Sequence, residues 1–168
     1  MNEGAFAMLD CLGFKGFWRR SPRGGDDLTQ ILQGMQDAAN AVLKSLKRVI
    51  DIPHMTTRVR FLSDTVIISV RWNVPPGEKA PDGYEGYLVL TVVALCTEVI
   101  KKFSTLPLLL RGHVTYGPHE VANQFIVGGA VDSTADLAEV SDGAFIWLSE
   151  KYGQLALNAM NAKTPLSP

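Results

Sequence analysis

Two aspartates in this chain stand where metal-assisted chemistry is possible. Asp10 ends an apolar run, residues 5–9, and is followed by the leucine and glycine of a turn. Asp64 lies at the tip of a hairpin predicted by two β-branched segments. If the hairpin pairs beside the first strand, the two carboxylates meet at one sheet edge, and a cation between them would relieve their repulsion. Such a pair suits Mg²⁺ or Mn²⁺ shared with substrate phosphates, an arrangement that assists displacement at phosphorus.

Each aspartate also has a local interpretation that needs no metal. Asp10 could cap its own turn or the following helix, and Asp64 could be a turn residue chosen for hairpin geometry. The sequence around either residue alone leaves both interpretations open.

Strands and helices alternate in the segments that must position these acids. The opening run predicts a buried central strand because nearly all of its side chains are apolar. Long helices are predicted at residues 26–51 and 84–103, separated by strands at 56–62 and 65–72 and a Pro/Gly-rich loop at 73–83. The later predicted elements are a strand at 108–116, a turn at Gly117-Pro118, a strand through 125–127, a helix at 132–140, a strand at 144–148 and a helix at 149–158.

This order predicts an α+β fold of the split βαβ, ferredoxin-like kind, with a mostly antiparallel sheet covered by long helices. We expect one domain over residues 1–160 and a flexible tail at 161–168.

Composition places the chain among ordinary globular proteins. Hydrophobic residues make up 46% and charged residues 20%. The formal charge of −1 gives no global attraction for nucleic acid or an anionic membrane, so we expect neither as a partner. The two cysteines, Cys11 and Cys96, form no CxxC pair and predict buried thiols in a reducing compartment. With no signal-peptide pattern at Met1, we expect a cytoplasmic protein.

Four segments, in order, resemble the motifs of class III nucleotide cyclases. Residues 6–14, FAMLDCLGF, resemble the family's metal-binding strand and turn, roughly F-x-D-I-x-G-F. Residues 61–64, FLSD, resemble its second metal segment, with serine in place of the usual glycine. Residues 110–117, LRGHVTYG, resemble the R-x-G-I-x-x-G strand, and residues 125–137, FIVGGAVDSTADL, follow the G-x-x-V-N-x-A-x-R-L segment in frame. Together they cover nearly the whole catalytic domain of that family.

The resemblance implies a phosphorus–oxygen lyase that uses two divalent cations, Mg²⁺ or Mn²⁺. Asp10 and Asp64 would hold the ions, with the backbone carbonyl of Cys11 as a further ligand. Arg111 matches a triphosphate-binding arginine, so the implied catalytic residues are Asp10, Asp64 and Arg111.

The turn after the first strand is implied to bind the triphosphate. Backbone amides of Leu12, Gly13 and Phe14 would contact it, as N–H groups at a turn before a helix can. Lys15 and Arg19 lie near the same turn, and a phosphate contact from either is a hypothesis that no family motif supports.

Four positions depart from the family's pattern. Arg60 stands where adenylyl cyclases carry a base-reading lysine and guanylyl cyclases a glutamate, and Phe125 occupies the second base-reading position. Asp132 and Asp136 replace the asparagine and arginine that position the ribose and stabilise the transition state. The usual polar readers of a purine are therefore absent.

Because both metal acids are retained, we favour an active enzyme whose nucleotide substrate carries a different base. Arg60 can donate two hydrogen bonds to pyrimidine carbonyl oxygens, and Phe125 can stack on a small ring or fill the space beside it. In this respect the chain resembles the pyrimidine cyclases of bacterial Pycsar antiphage systems, which make cyclic UMP or cyclic CMP to activate a separate effector. The alternatives are a purine cyclase with unusual readers and an inactive nucleotide-binding regulatory module.

Composite active sites in a head-to-tail homodimer are also implied by the resemblance. One protomer would contribute Asp10, Asp64 and Arg111 to each site. The other would contribute the four residues that depart from the pattern, Arg60, Phe125, Asp132 and Asp136.

Overall fold

The apolar opening segment forms the centre of the sheet. A computed structural model describes residues 2–14, 19, 25–49, 54–104, 109–139 and 143–162. Strand β1 spans Asn2–Leu12 and lies between β3, Thr65–Trp72, and β4, Leu109–Val121, antiparallel to both. The predicted central strand is therefore confirmed.

The predicted hairpin is also present. Strand β2, Met55–Leu62, pairs antiparallel with β3, so the hairpin tip falls at Ser63 and Asp64. The sheet order is β2-β3-β1-β4-β5, where β5 is the short strand Ile126–Val127, and β6, Ile146–Leu148, pairs parallel with β4.

One face of the sheet is covered by three helices: α1 (Gly25–Val49), α2 (Tyr84–Phe103) and α4 (Glu150–Asn161). The bounds predicted for α2 are those observed, with Lys101 and Lys102 in the last turn, where cations interact favourably with the helix dipole. Among the described residues no helix combines the length and apolarity needed to cross a membrane. The main core lies under these helices and includes the buried residues Ala5, Ala7, Leu9, Ile31, Met35, Val42, Leu88, Val92 and Leu95, together with both cysteines, which are free thiols.

Strand β4 does not turn where the sequence suggested. The predicted turn at Gly117-Pro118 is wrong, because β4 runs on to Val121. Gly112 donates its N–H outward, away from β1, to the carbonyl of Phe145 at 2.9 Å. Pro118 lies six residues later, so its nitrogen is on the same outer side of the strand, where a missing N–H breaks no bond to β1. The proline is therefore compatible with a continuous strand.

The end of β4 folds over the other face of the sheet. We call residues 118–127 the arm; it comprises the end of β4, a tight turn in which Ala122 donates to the carbonyl of Phe125 at 2.9 Å, and β5. Helix α3, Gly129–Glu139, follows the arm and packs on the same face, over a small second core of Phe6, Ile67, Val121 and Ala130. Gly128 joins them at a φ of 133°, where a Cβ would lie 2.4 Å from the carbonyl oxygen of Pro118.

Some predicted bounds differ from those observed. The third predicted helix begins three residues earlier, at Gly129, and the last helix continues to Asn161. The predicted tail at 161–168 therefore begins too early, because Asn161 is still helical. Its residues 163–168, the predicted helix end near Asp51, the strand start at Leu108 and the helix end at Val140 lie outside the described residues.

Candidate active site

Asp10 and Arg111 are direct neighbours across the central strands. They are register partners in the β1–β4 pair, and Arg111 Nη2 lies 3.4 Å from Asp10 Oδ2. The side chains of cross-strand partners lie on the same face of a sheet. Asp10 and Arg111 therefore both lie on the face that helices α1 and α2 do not cover. Asp10 remains 34% exposed and Arg111 30% exposed. A carboxylate and a guanidinium are thus rigidly held at a surface that solvent and ligands can reach.

Asp64 is held against the same strand by the backbone. Cys11 donates its N–H to the carbonyl oxygen of Asp64 at 3.0 Å, which ties the hairpin tip to the end of β1. Ser63, beside Asp64 at the hairpin tip, adopts a positive φ of 56°. The strain of a left-handed serine is offset by the hairpin around it, and the two predicted metal acids are brought to the same end of the sheet.

The electrostatics of Asp10 show that the two carboxylates influence each other. Burial and the neighbouring charge of Asp64 raise the pKa of Asp10, against the opposing effect of Arg111. Burial, with both carboxylates nearby, also raises the pKa of the Cys11 thiol to about 12. At neutral pH the thiol is therefore protonated, which leaves the Cys11 carbonyl as its available metal-ligating group.

This donor set fits a magnesium-type ion. The described residues contain no group of three or more His, Cys, Asp and Glu side chains that could hold a metal. Mg²⁺ seldom needs such a cage, because it commonly binds one or two carboxylates and takes its other ligands from water and substrate phosphates. The mutual repulsion of Asp10 and Asp64 is what a bound cation would relieve.

The turn after β1 has the backbone geometry of an open loop. Phe14 donates to the carbonyl of Cys11 at 3.4 Å, and Gly13, the third residue of this turn, has a φ of 78° with open space where a Cβ would stand. Leu12 is half-buried, and Phe14 packs against the main core. Lys15 lies outside the described residues, and Arg19 is exposed. Phosphate binding by this turn stays a prediction.

The two predicted base-reading residues are brought to one place by the arm. Arg60 of β2 donates from Nη2 to Asn123 Oδ1 at 2.7 Å, and Asn123 lies in the same four-residue turn as Phe125. Phe125 as a whole residue is 53% exposed. Sequence reasoning missed Asn123, because no local pattern signals a contact between residues 63 positions apart.

The arm is fastened to the sheet by a cluster of charges that sequence reasoning also missed, in which Arg71 is buried while Arg58 and Glu120 are partly exposed. Arg71 forms two hydrogen bonds to the carboxylate of Glu120, at 2.5 and 3.1 Å, and Arg58 lies 3.2 Å from the same group. These contacts lower the pKa of Glu120. Arg58 also donates to the carbonyl of Val121. Charge-assisted, bidentate bonds of this kind are strong and directional, so they fix the arm over β2 and β3.

Asp132 and Asp136 lie one turn apart on the exposed surface of α3. Thr134 between them points inward, fully buried, and its hydroxyl lies 2.8 Å from that of Thr115. The Thr115–Thr134 contact places this part of α3 over β4, at a position four residues along the strand from Arg111.

Large apolar side chains are exposed on the face that carries Asp10. In the strand register, Leu62 pairs with Thr65, Leu109 with Leu12 and Trp147 with His113. Each of these partners lies on the same face as Asp10. The exposed fractions of Leu62, Leu109 and Trp147 are 54%, 63% and 46%. Phe145, 63% exposed, stacks edge-on against Trp147 at 6.1 Å. The contacting pair Phe145 and Trp147 and the residue Leu62 on β2 lie toward opposite edges of this face, with the Asp10–Arg111 pair on the strands between them.

Comparison with solved structures identifies the fold. The chain is similar to the catalytic core of a rhodopsin-guanylyl cyclase with converted specificity, solved in complex with ATPalphaS, at a TM-score of 0.63 and 15% identity over 92% of this chain and 80% of that one. It is also similar to the adenylyl cyclase CyaB from P. aeruginosa, at a TM-score of 0.50 and 16% identity over 93% and 81% of the two chains. No protein-family model and no curated protein sequence matches the chain. The predicted α+β fold, that of class III cyclase catalytic domains, is confirmed.

Proposed function

We propose that this protein is a nucleotide cyclase that converts UTP or CTP to the 3′,5′-cyclic nucleotide and pyrophosphate. The observation that carries the proposal is the convergence of Asp10, Asp64 and Arg111 at one exposed end of a sheet with the cyclase fold. Two carboxylates and one guanidinium suit a substrate that arrives as a metal-bound triphosphate.

The chain's own residues have distinct roles in the proposed reaction. Asp10 and Asp64 would hold two Mg²⁺ or Mn²⁺ ions, with the carbonyl of Cys11 as a further ligand. When bound, the ions would supply acidification of the ribose 3′-hydroxyl and neutralisation of charge at the α-phosphate. Arg111 orients the triphosphate for attack by that hydroxyl on the α-phosphorus, with pyrophosphate leaving. Because Asp136 stands in the place of the family's transition-state arginine, Arg111 and Arg60 are the candidates for that role.

The pyrimidine assignment rests on Arg60 and Phe125. An arginine that is hydrogen-bonded to the turn carrying an exposed phenylalanine suits a small base with carbonyl oxygens. The exposed aspartates Asp132 and Asp136 on α3 replace the ribose-positioning and transition-state residues of purine cyclases and would lie on the same side of the bound substrate as the base readers.

A homodimer would complete the site. The exposed residues Leu62, Leu109, Phe145 and Trp147 surround the metal acids, and a second copy placed on this face would cover them. The metal acids of one protomer would then face Arg60, Phe125, Asp132 and Asp136 of the partner. We further propose that the enzyme works in the cytoplasm and that its product activates a separate effector in antiphage defence; this part rests on the sequence resemblance alone.

The test is incubation of the purified protein with each of the four nucleoside triphosphates and Mn²⁺, with products resolved by chromatography. We expect cyclic UMP or cyclic CMP as the main product and none from an Asp64→Ala variant. Product chiefly from ATP or GTP would assign a purine cyclase. No cyclic product from any substrate, or equal product from the variant, would exclude the enzyme.

A further inference from the structure

Asn123 is joined to the proposed base-reading arginine. Its Oδ1 accepts a hydrogen bond from Arg60 Nη2 at 2.7 Å, between β2 and the turn of the arm. Both side chains are exposed, so burial does not restrict the arginine. An exposed arginine samples many rotamers, and a fixed acceptor selects among them. The direction of the guanidinium is therefore set by Asn123.

Asn123 can act as a fixed acceptor because the arm is anchored. The carboxylate of Glu120 accepts hydrogen bonds from Arg71 and Arg58. Arg58 also donates to the carbonyl of Val121, two residues before Asn123. The bond from the Ala122 N–H to the Phe125 carbonyl closes the turn around Asn123. The acceptor is thus tied to β2 and β3, the two strands of the hairpin.

The same turn carries both parts of the proposed base pocket. Phe125, at its last position, presents the exposed ring, and Asn123, at its second, holds Arg60. A guanidinium has five N–H donors in a rigid planar fork, so the bond to Asn123 restricts the directions in which the other donors can point. The turn thus holds the acceptor that restrains Arg60 two residues from Phe125.

From this geometry we propose that Asn123 is a positioning residue that determines base specificity through Arg60. It does not contact the reacting atoms. The inference rests on the proposed function to the extent that Arg60 reads the base, and it assigns to the arm a role in specificity besides its place in the fold.

The test measures base discrimination by binding, without turnover. Dissociation constants are determined by calorimetry with Mn²⁺ for the 3′-deoxy forms of the four nucleoside triphosphates, which lack the attacking hydroxyl. We expect Asn123→Leu, similar in size but without an acceptor, to reduce the ratio of affinities between the preferred and the least preferred base about tenfold. Asn123→Asp keeps an acceptor and should retain the ratio. Gln124→Leu, at the exposed neighbouring position, is the matched control and should also retain it.

A double variant with Arg60 distinguishes a positioning role of Asn123 from direct contact between Asn123 and the base. In an Arg60→Ala background, Asn123→Leu should change the ratio no further. The inference would be overturned if Asn123→Leu alone left the ratio of base affinities unchanged. It would also be overturned if Asn123→Leu reduced that ratio by the same factor in the Arg60→Ala background.

The outcomes also distinguish this inference from the proposed function. If the wild-type protein binds with a base preference that Asn123→Leu abolishes but forms no cyclic product from ordinary triphosphates, the cyclase proposal fails and the role of Asn123 stands. If the wild-type protein binds none of the four analogues, both are overturned.

Discussion

Arg111 Nη2 lies 3.4 Å from Asp10 Oδ2, across two strands that the chain separates by 101 residues. The guanidinium offsets part of the negative charge at this end of the sheet, yet the pKa of Asp10 remains above its usual range because burial and Asp64 act in the opposite direction. The site is thus an anionic pair with one compensating cation, an arrangement that favours a bound divalent ion.

Removing either metal acid should abolish turnover. We expect Asp10→Asn and Asp64→Asn each to lower the rate of cyclic nucleotide formation at least about 100-fold, since each removes a direct ligand and even outer-shell changes can cost that much. Rates are measured by chromatography at saturating Mn²⁺. Asp82→Asn, in the exposed loop before α2, is the control and should keep wild-type activity.

Asp10→Asn should also stabilise the metal-free protein. A raised folded-state pKa means that Asp10 contributes stability while protonated and that this contribution is lost as the pH rises through its folded pKa. Asn mimics the protonated carboxyl, so Asp10→Asn should raise the Tm at pH 7 in chelator. Added Mn²⁺ should raise the Tm of the wild type and leave that of the variant unchanged. A lower Tm for the variant in chelator would contradict this electrostatic account.

Arg111 should act chiefly in substrate binding. Arg111→Met removes the cation beside Asp10 and the proposed triphosphate contact, so we expect KM for the nucleotide to rise about tenfold or more. Steady-state kinetics separate the two roles open to this residue: a rise in KM fits triphosphate binding, whereas a fall in kcat with KM unchanged would assign Arg111 to the transition state.

The exposed apolar face should be the dimer interface. Trp147→Asp places a charge on this face and should give a monomer by sedimentation with loss of activity. Leu157→Asp is the matched control, because Leu157 is similarly exposed, at 52% against 46%, but lies on α4. A Trp147→Asp variant that remains dimeric would place the interface elsewhere.

His119 should make stability depend on pH. It is fully buried, with Nε2 2.8 Å from Ser69 Oγ, Nδ1 3.0 Å from the Gly117 carbonyl, and Arg71 and Glu120 nearby. Burial lowers its pKa below 6.5, so the unfolded chain takes up a proton that the folded protein resists. The contribution of neutral His119 to stability is therefore fully present above pH 6.5 and is lost as the pH falls below that value.

Denaturant titrations at pH 8 and pH 5.5 measure this loss. His119→Gln should reduce the difference in unfolding free energy between the two pH values without abolishing it, because burial also lowers the pKa of His113. Val99→Ala, a core change in α2, should lower stability equally at both pH values. An undiminished pH dependence in His119→Gln would contradict the assignment.

Local chemistry determined most of the elements in this protein. The helix Tyr84–Phe103 and the hairpin strands were predictable to within a residue, because their apolar spacing and their Pro, Gly and Asp boundaries act over a few positions. The candidate metal pair was also accessible, because a strand that ends on an acid and a hairpin tipped by an acid converge whenever the two elements pair.

Only the tertiary structure decided how the arm lies. Gly117-Pro118 has the local character of a turn, but the orientation of the proline nitrogen depends on strand register, which no neighbouring residue encodes. The arm's position over the sheet depends on Glu120 meeting Arg71 and Arg58, contacts between residues about fifty to sixty positions apart. The Arg60–Asn123 bond follows from that placement, so Arg60 could be proposed as a base reader from the sequence alone, whereas the contact that suggests Asn123 as its positioning residue is visible only in the fold.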